Sequence, residues 1–150
     1  MTKIFVDGDA CPVKEEVYRV AKRYKLSVTL VANAPMRVPT ADWLTLVVVK
    51  GHYEAADDWI AEQVAGDDIV ITADIPLASR CLEKQAHVLD SRGGKFSAES
   101  IGSALASREL MTQLRDLGTI TGGPPPFSKQ DRSQFLQTLD QTIQKLRRKK

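Results

Sequence analysis

The sequence of 150 residues has few of the side chains that mark disulfide-bonded, redox or membrane proteins. Its two cysteines, Cys11 and Cys81, lack CxxC spacing, so no disulfide framework is expected and both thiols are predicted to stay reduced. No apolar run approaches the ~20 residues of a membrane span, which predicts no membrane contact. The N-terminus enters a strand pattern at once and has no signal-peptide h-region, so we expect a cytoplasmic location.

The net charge is only +2, but the two halves of the chain differ in sign. Residues 1–75 hold 8 basic and 12 acidic side chains, whereas residues 76–150 hold 13 basic and 7 acidic ones. An acidic half could hold a metal ion and a basic half could hold phosphate. A solvated C-terminal end is the alternative, because five basic residues between positions 145 and 150 supply most of the excess.

Strand and helix patterns alternate along the chain. Short apolar, β-branched runs predict five strands, at Lys3–Val6, Val28–Val31, Thr45–Val49, Ile69–Ala73 and His87–Leu89. Helical periodicity predicts helices from Pro12 to about Tyr24, over Ala55–Val64, from Pro76 to about Gln85, over Ser97–Leu117 and over about 129–147, with a basic tail. This alternation predicts one α/β domain over residues 1–150, a three-layer sandwich with a central, mostly parallel sheet of four or five strands.

Aspartates follow two of the apolar strands. Asp7 and Asp9 come directly after the first strand, and Asp74 follows the Ile69–Ala73 strand. Because ligands bind at the carboxyl ends of parallel strands, these aspartates should converge if the two strands are neighbours. Asp57, near the start of a helix, is a fourth candidate, whereas Asp58 points about 100° away around that helix.

Four carboxylates are ligands of the type found in divalent-cation sites: those of Asp7, Asp9, Asp57 and Asp74. Mg²⁺ and Mn²⁺ prefer oxygen ligands and keep several waters, so two to four carboxylates suffice. Without a cation, mutual repulsion would raise the pKa of at least one of them. Phosphoryl transfer to water is the reaction that such a site permits. Helix capping is the alternative, by Asp9 for the helix opened by Pro12 and by Asp74 for the helix opened by Pro76.

Five polar or basic residues are candidates for substrate binding. Lys14 lies one turn into the first predicted helix, and Asn33 and Arg37 follow the second strand at the edge where the carboxylates lie. Arg92 and Arg132 are similar candidates, because arginine suits a phosphate fork. Ordinary solvated side chains are the alternative for each.

Seven blocks in order along almost the whole chain carry a family resemblance. They are IFVDGDACPVK (4–14), VAN (31–33), RVP (37–39), AD (56–57), ITADIPLA (71–78), TGGP (121–124), and DR (131–132) with Phe135. Together they resemble the bacterial YaiI/YqxD family, which is similar to PIN-like domains. The resemblance implies a metal-dependent nuclease with an acidic pocket. In this resemblance, Asp7, Asp57 and Asp74 match the catalytic positions. Asp9 is an extra ligand candidate, and Asp90 could be a fourth acid.

The leading hypothesis is therefore a PIN-like, Mg²⁺- or Mn²⁺-dependent nuclease that favours RNA over DNA. A haloacid-dehalogenase-type phosphatase would use Asp7 as nucleophile and Asp9 as general acid, but its downstream elements cannot be placed in order. A nucleic-acid- or partner-binding module without catalysis is a third hypothesis. A catalytic Cys11 is disfavoured against a structural thiol, since neither His52 nor His87 is spaced as its base. No feature of the sequence indicates an oligomeric state.

Overall fold

A computed structural model of the chain describes residues 2–8, 11–52, 54–102 and 127–148. In these ranges, six strands form one sheet: β1 (Lys3–Asp7), β2 (Ser27–Ala32), β3 (Leu44–Val48), β4 (Ile69–Ile71), β5 (His87–Leu89) and β6 (Lys95–Phe96). The strand order is β3-β2-β1-β4-β5-β6. All neighbouring pairs are parallel except β5 and β6. The order reverses at β1, which lies between β2 and β4, so the sheet has a topological switch point at that strand.

Within the described ranges, four helices with full bounds pack on this sheet: α1 (Lys14–Tyr24), α2 (Ala55–Gln63), α3 (Ile75–Glu83) and α4 (Lys129–Arg148). Residues 98–102 are also helical and begin the predicted Ser97–Leu117 helix, whose residues beyond 102 lie outside the described ranges. The described helices include none that is long and apolar enough to cross a membrane.

The alternation of side chains along β1 divides the core into two layers. Ile4 and Val6 point to one face of the sheet, where they pack with α1 and α4. Phe5 points to the other face, where it packs with α2 and α3. Since successive strand residues face opposite sides, a continuous apolar run is what a strand covered on both faces requires. The predicted three-layer α/β class is confirmed.

Two local features differ from the sequence-based prediction. The sheet has six strands, and not four or five, because Lys95–Phe96 adds an antiparallel edge strand that is too short to show periodicity. Helix α1 begins at Lys14, after Pro12, since the carbonyl of Val13 accepts the first helical hydrogen bond from the Val17 N–H. The strand His87–Leu89 has its predicted bounds, and the other described element ends differ by at most two residues, which is the usual uncertainty of helix and strand boundaries.

Helix α4 is fixed to α1 by apolar and polar contacts. Its apolar face, Phe135, Leu139, Ile143 and Leu146, is buried against the sheet and α1. At the far end of α1, the Tyr24 hydroxyl donates a hydrogen bond to the Asp140 carboxylate of α4. The two helices therefore form one continuous layer over this face of the sheet.

Candidate functional site

The carboxyl ends of β1 and β4 lie side by side and carry polar side chains. Asp7 is the last residue of β1, and Thr72 follows β4 directly. The Thr72 hydroxyl donates a hydrogen bond of 3.0 Å to Asp7 Oδ2 and accepts one of 3.0 Å from the Asp74 N–H. Thr72 thus connects Asp7 to the backbone of Asp74. The condition set by the sequence, that these two strands be neighbours, is met.

Asp74 is the N-cap of α3. Its Oδ1 accepts a hydrogen bond of 2.8 Å from the Leu77 N–H, and Pro76 lies in the first turn, where its missing N–H costs nothing. The capping role that the sequence left open is therefore present. A cap uses one carboxylate oxygen, and the same aspartate also lines the pocket at this edge of the sheet.

Asp57 lies in the first turn of α2, and the end of β2 positions that turn. Asn33 Oδ1 accepts a hydrogen bond of 3.2 Å from the Ala56 N–H, one residue before Asp57. Glu54, the residue that precedes the helix, supplies no side-chain cap, so Asn33 performs this role from a different element. Asn33, a candidate substrate ligand from the sequence, thus fixes the start of the helix that carries Asp57.

The carboxyl group of Asp57 has an unusually high pKa. Burial is the main cause, and the charges of Asp7 and Asp74, followed by those of Glu54 and Asp58, raise the pKa further, from 3.8 to about 7. The charged form is disfavoured both by lost hydration and by neighbouring negative charge. Asp57 therefore senses Asp7 and Asp74 electrostatically, and at neutral pH it is held near the midpoint of its titration.

Asp58, the next residue, faces different partners. Its carboxylate accepts a hydrogen bond of 2.7 Å from Arg80 Nη1 and lies 3.4 Å from His52 Nε2. The prediction that Asp57 and Asp58 point in different directions agrees with these contacts. Asp58 is part of a surface ion pair between α2 and α3.

A pocket of about 240 Å³ lies at this edge of the sheet. The lining comes from the ends of β1, β4 and β5 and from the segment before α1, and it consists of Asp7, Cys11, Ile71, Thr72, Ala73, Asp74 and Ser91. Burial raises the pKa of the Cys11 thiol, and a backbone hydrogen bond from Val13 and the charge of Lys14 only partly offset this effect. Cys11 is thus held as a neutral thiol and lacks the lowered pKa of an activated nucleophile.

The described carboxylates do not form a ready-made metal cage. Among the described residues, no three His, Cys, Asp or Glu side chains are close enough together to hold a metal ion. Charge repulsion acts over longer distances than the 2.0–2.6 Å of a metal–oxygen bond, so Asp57 can sense Asp7 and Asp74 without sharing an ion with them. Asp9, the fourth predicted ligand, lies outside the described ranges.

Lys14 and Arg37 differ in their relation to the pocket. Lys14 is the first residue of α1, is half-buried, and its charge acts on Cys11 in the pocket wall. Arg37 is exposed in the segment between β2 and β3, where its neighbours Met36 and Val38 pack against the core. Lys14 therefore acts electrostatically on the pocket wall, although it does not itself line the pocket.

Arg92 and Arg132 are both engaged by carboxylates of the protein. Arg92 Nη1 lies 3.0 Å from Asp131 Oδ2. Arg132 Nη1 donates to Glu16 Oε1 at 2.9 Å and to the Pro12 carbonyl at 2.8 Å. The Glu16 side chain is only 9% exposed, so the hydrogen bond from Arg132 replaces contacts that its carboxylate would otherwise make with water. Both arginines hold the start of α4 against neighbouring segments.

Three further polar residues at this edge of the sheet either line the pocket or form the turn beside it. Thr72 and Ser91 line the pocket and were not assigned from the sequence. The sequence could have indicated Thr72, because it stands two residues before Asp74 in the Thr-x-Asp pattern at the end of a strand. For Ser91, the only indication in the sequence is that it follows a strand. Asp90 accepts hydrogen bonds from the N–H groups of Arg92 and Gly94, so its carboxylate builds the turn after β5.

Comparison with known proteins identifies the relatives of this chain. A model described as the uncharacterised bacterial YaiI/YqxD family matches residues 5–145. A UPF0178 protein of Paramagnetospirillum magneticum is 55% identical over 99% of this chain and 98% of its own length. A UPF0178 protein of Rhodospirillum centenum is 56% identical over 99% of both chains. No solved structure gives a significant match. The chain belongs to the YaiI/YqxD family.

Proposed function

We propose that this protein is a divalent-metal-dependent nuclease that hydrolyses phosphodiester bonds, with RNA favoured over DNA. One observation carries the proposal: two neighbouring strands end in Asp7 and Asp74, and the charges of both raise the pKa of Asp57. Natural proteins place mutually repelling carboxylates together at functional sites more often than elsewhere. The implied PIN-like resemblance assigns catalytic roles to the same three positions.

The donor set fits Mg²⁺ or Mn²⁺ in its chemistry. Carboxylate oxygens are hard ligands, and both cations keep several waters, so fewer than three direct protein ligands are sufficient. Asp7, Asp57 and Asp74 would surround the ion, some of them bound directly and the others through its waters, with Asp9 as a further ligand or as the residue that orients a water. A bound cation lowers the pKa of a water molecule and neutralises charge on phosphate oxygens.

The protein's own residues position the carboxylates of this site and supply charges around it. Thr72 holds the Asp7 carboxylate by a hydrogen bond, and Asn33 holds the first turn of α2. Before a cation binds, the pKa of Asp57 is about 7, so a bound cation would favour release of its proton at neutral pH. Lys14 and Arg37 are the proposed contacts to the substrate backbone, whereas Arg92 and Arg132 would first have to leave their carboxylate partners.

The test is cleavage of fluorescently labelled single-stranded RNA and DNA of one sequence, with Mg²⁺, Mn²⁺ or a chelator. We expect metal-dependent cleavage that Asp7→Asn and Asp74→Asn abolish, since both substitutions remove a charge while keeping a hydrogen-bond acceptor. Asp42→Asn is the matched control, because Asp42 is an exposed carboxylate in the turn before β3. Cleavage by Asp7→Asn and Asp74→Asn at the wild-type rate would overturn the proposal.

A binding module without catalysis is the second candidate. It is favoured by the finding that the described residues bring no three potential ligands together. Its signature is RNA binding that persists in a chelator, together with no cleavage by any variant and no NMR shifts near Asp7 and Asp74 at millimolar Mg²⁺ or Mn²⁺. Isolation of a chain phosphorylated on Asp7 would instead support the phosphatase hypothesis.

A further inference from the structure

A second pocket, of about 430 Å³, lies beside the outer edge of the sheet. It is lined by β5, β6 and the C-terminal half of α4, through His87, Lys95, Thr142, Lys145, Leu146 and Arg148. None of these residues lines the pocket of about 240 Å³ that contains Asp7 and Asp74. The two pockets are therefore separate features of the surface.

The sheet register places Lys95 toward α4. Lys95 pairs with Leu89 across the antiparallel β5–β6 ladder, and directly opposed residues in such a ladder project to the same face. Leu89 belongs to the core layer that α4 covers, together with Leu146. Lys95 thus lies on the face where the last turns of α4 supply Lys145 and Arg148.

The charge of this pocket is not balanced by the neighbouring described residues. Within those residues, Lys95, Lys145 and Arg148 take part in no ion pair. The Asp67 carboxylate lies 3.6 Å from Nε2 of the lining residue His87. Burial, and secondly the charge of Lys145, lower the pKa of Lys95. A lysine whose charged form is disfavoured by burial and by a neighbouring cation is stabilised when an anion binds beside it.

We propose that this basic pocket, formed by Lys95, Lys145 and Arg148, binds a phosphoryl group. Two lysines and an arginine supply the donors that phosphate oxygens require, and Leu146 supplies an apolar wall. The volume exceeds that of a single phosphate ion, so the group can belong to a free phosphate compound or to the backbone of a nucleic acid. The inference does not depend on the nuclease activity, because the two pockets share no residue.

The experiment follows the amide and lysine side-chain NMR signals of the full chain during titration with inorganic phosphate, pyrophosphate and a single-stranded oligouridylate. Ionic strength is held constant with sodium chloride, and sodium acetate serves as the control anion. We expect saturable shifts at Lys95 and Lys145. Tighter binding of the oligouridylate through the same residues identifies a backbone site, whereas tighter binding of pyrophosphate identifies a site for small phosphate compounds. Either result supports the proposal.

The matched variants are Lys145→Gln and Lys22→Gln. Both lysines are exposed and lie in the last turn of a helix, but Lys22 belongs to α1 and does not line the pocket. Loss of one charge-assisted hydrogen bond should raise the Kd for pyrophosphate by about tenfold in Lys145→Gln and leave it unchanged in Lys22→Gln. The absence of saturable shifts, equal shifts with acetate, or equal weakening in both variants would overturn the proposal.

Discussion

Thr72 Oγ1 donates its hydrogen bond to Asp7 Oδ2 across the ends of two parallel strands, at 3.0 Å. The same oxygen accepts the N–H of Asp74, so one threonine fixes the spacing between two carboxylate-bearing segments. Replacing Thr72 by valine keeps the shape and the β-branch but removes the hydrogen bond. We expect Thr72→Val to cost about 1 kcal/mol of unfolding free energy, measured by urea denaturation. We also expect a lower rate of RNA cleavage, because the Asp7 carboxylate is no longer held in place by this hydrogen bond. Thr45→Val, at an exposed strand position, should change neither quantity.

The raised pKa of Asp57 predicts a pH-dependent stability. Between its unfolded value of 3.8 and its folded value of about 7, the folded protein retains a proton that the unfolded chain has released. This contribution to stability is complete below pH 4 and is lost as the pH rises to 7. Asp57→Asn removes the effect, so we expect the variant to gain stability relative to wild type as the pH is raised from 5 to 8. Urea denaturation at both pH values checks this, and an equal difference at pH 5 and pH 8 would contradict it.

Cation binding should lower the raised pKa of Asp57. A divalent ion near Asp7, Asp57 and Asp74 favours the charged carboxylates, so the pKa of Asp57 should fall below about 7 on addition of Mg²⁺ or Mn²⁺. At a cation concentration ten times its Kd, the protein should gain about 1.4 kcal/mol of stability at pH 8. Carboxyl carbon NMR titrations with Mg²⁺ measure the pKa, and potassium chloride of equal ionic strength is the control. An unchanged pKa would contradict cation binding at this place.

Two substitutions at Asp74 separate its capping role from its proposed function. Asparagine caps a helix about as well as aspartate, whereas alanine does not. Asp74→Ala should therefore lose about 1 kcal/mol of unfolding free energy, and Asp74→Asn should stay close to wild type. Both should lose cleavage, since both lack the charge. If Asp74→Asn retains cleavage while Asp74→Ala loses it, the carboxylate acts only as the cap.

The contact between Arg132 and Glu16 predicts a structural role for this arginine. Removing Arg132 leaves the buried carboxylate of Glu16 without its hydrogen-bonding partner. We expect Arg132→Gln to lower the unfolding free energy by about 1–3 kcal/mol. Arg19→Gln, at an exposed position of α1, should change it by less than about 0.5 kcal/mol. Equal stability of both variants would show that Glu16 does not need Arg132.

Gly93 allows close approach of the β5–β6 turn to α4. Its φ is +90°, and a Cβ at this position would lie 2.8 Å from the backbone of Gln134. Gly93→Ala should thus cost more than about 1 kcal/mol, because it adds a steric clash to an unfavourable backbone conformation. Gly102→Ala is the control, since Gly102 is helical and a Cβ there meets nothing within 4 Å. It should be neutral or stabilising by up to about 1 kcal/mol in thermal unfolding.

The sheet and the convergence of Asp7 and Asp74 were predictable because both depend on local patterns. The alternation of Ile4, Phe5 and Val6 indicates a strand covered on two faces, and parallel strands carry their end residues to one edge. By contrast, the strand Lys95–Phe96 is too short for any periodicity.

The partners of Asn33 and Arg132 depend on tertiary contacts that no local pattern encodes. Asn33 caps a helix that begins 22 residues later, and Arg132 pairs with Glu16 across 116 positions of sequence. Both residues have the right chemistry for a ligand contact, which is why the sequence suggested substrate binding. Only the fold reveals that protein groups already use these side chains.

The layer formed by α1 and α4 also has a kinetic consequence. Tyr24 reaches Asp140, and Glu16 reaches Arg132, each across 116 positions, so these contacts close loops that span most of the chain. Loop-closure entropy must be spent before such contacts are gained, and proteins with many distant contacts fold slowly. We therefore expect α4 to dock in the last phase of folding. Until then, the part of the sheet face that α4 covers is open to water, and this is the species most prone to aggregate.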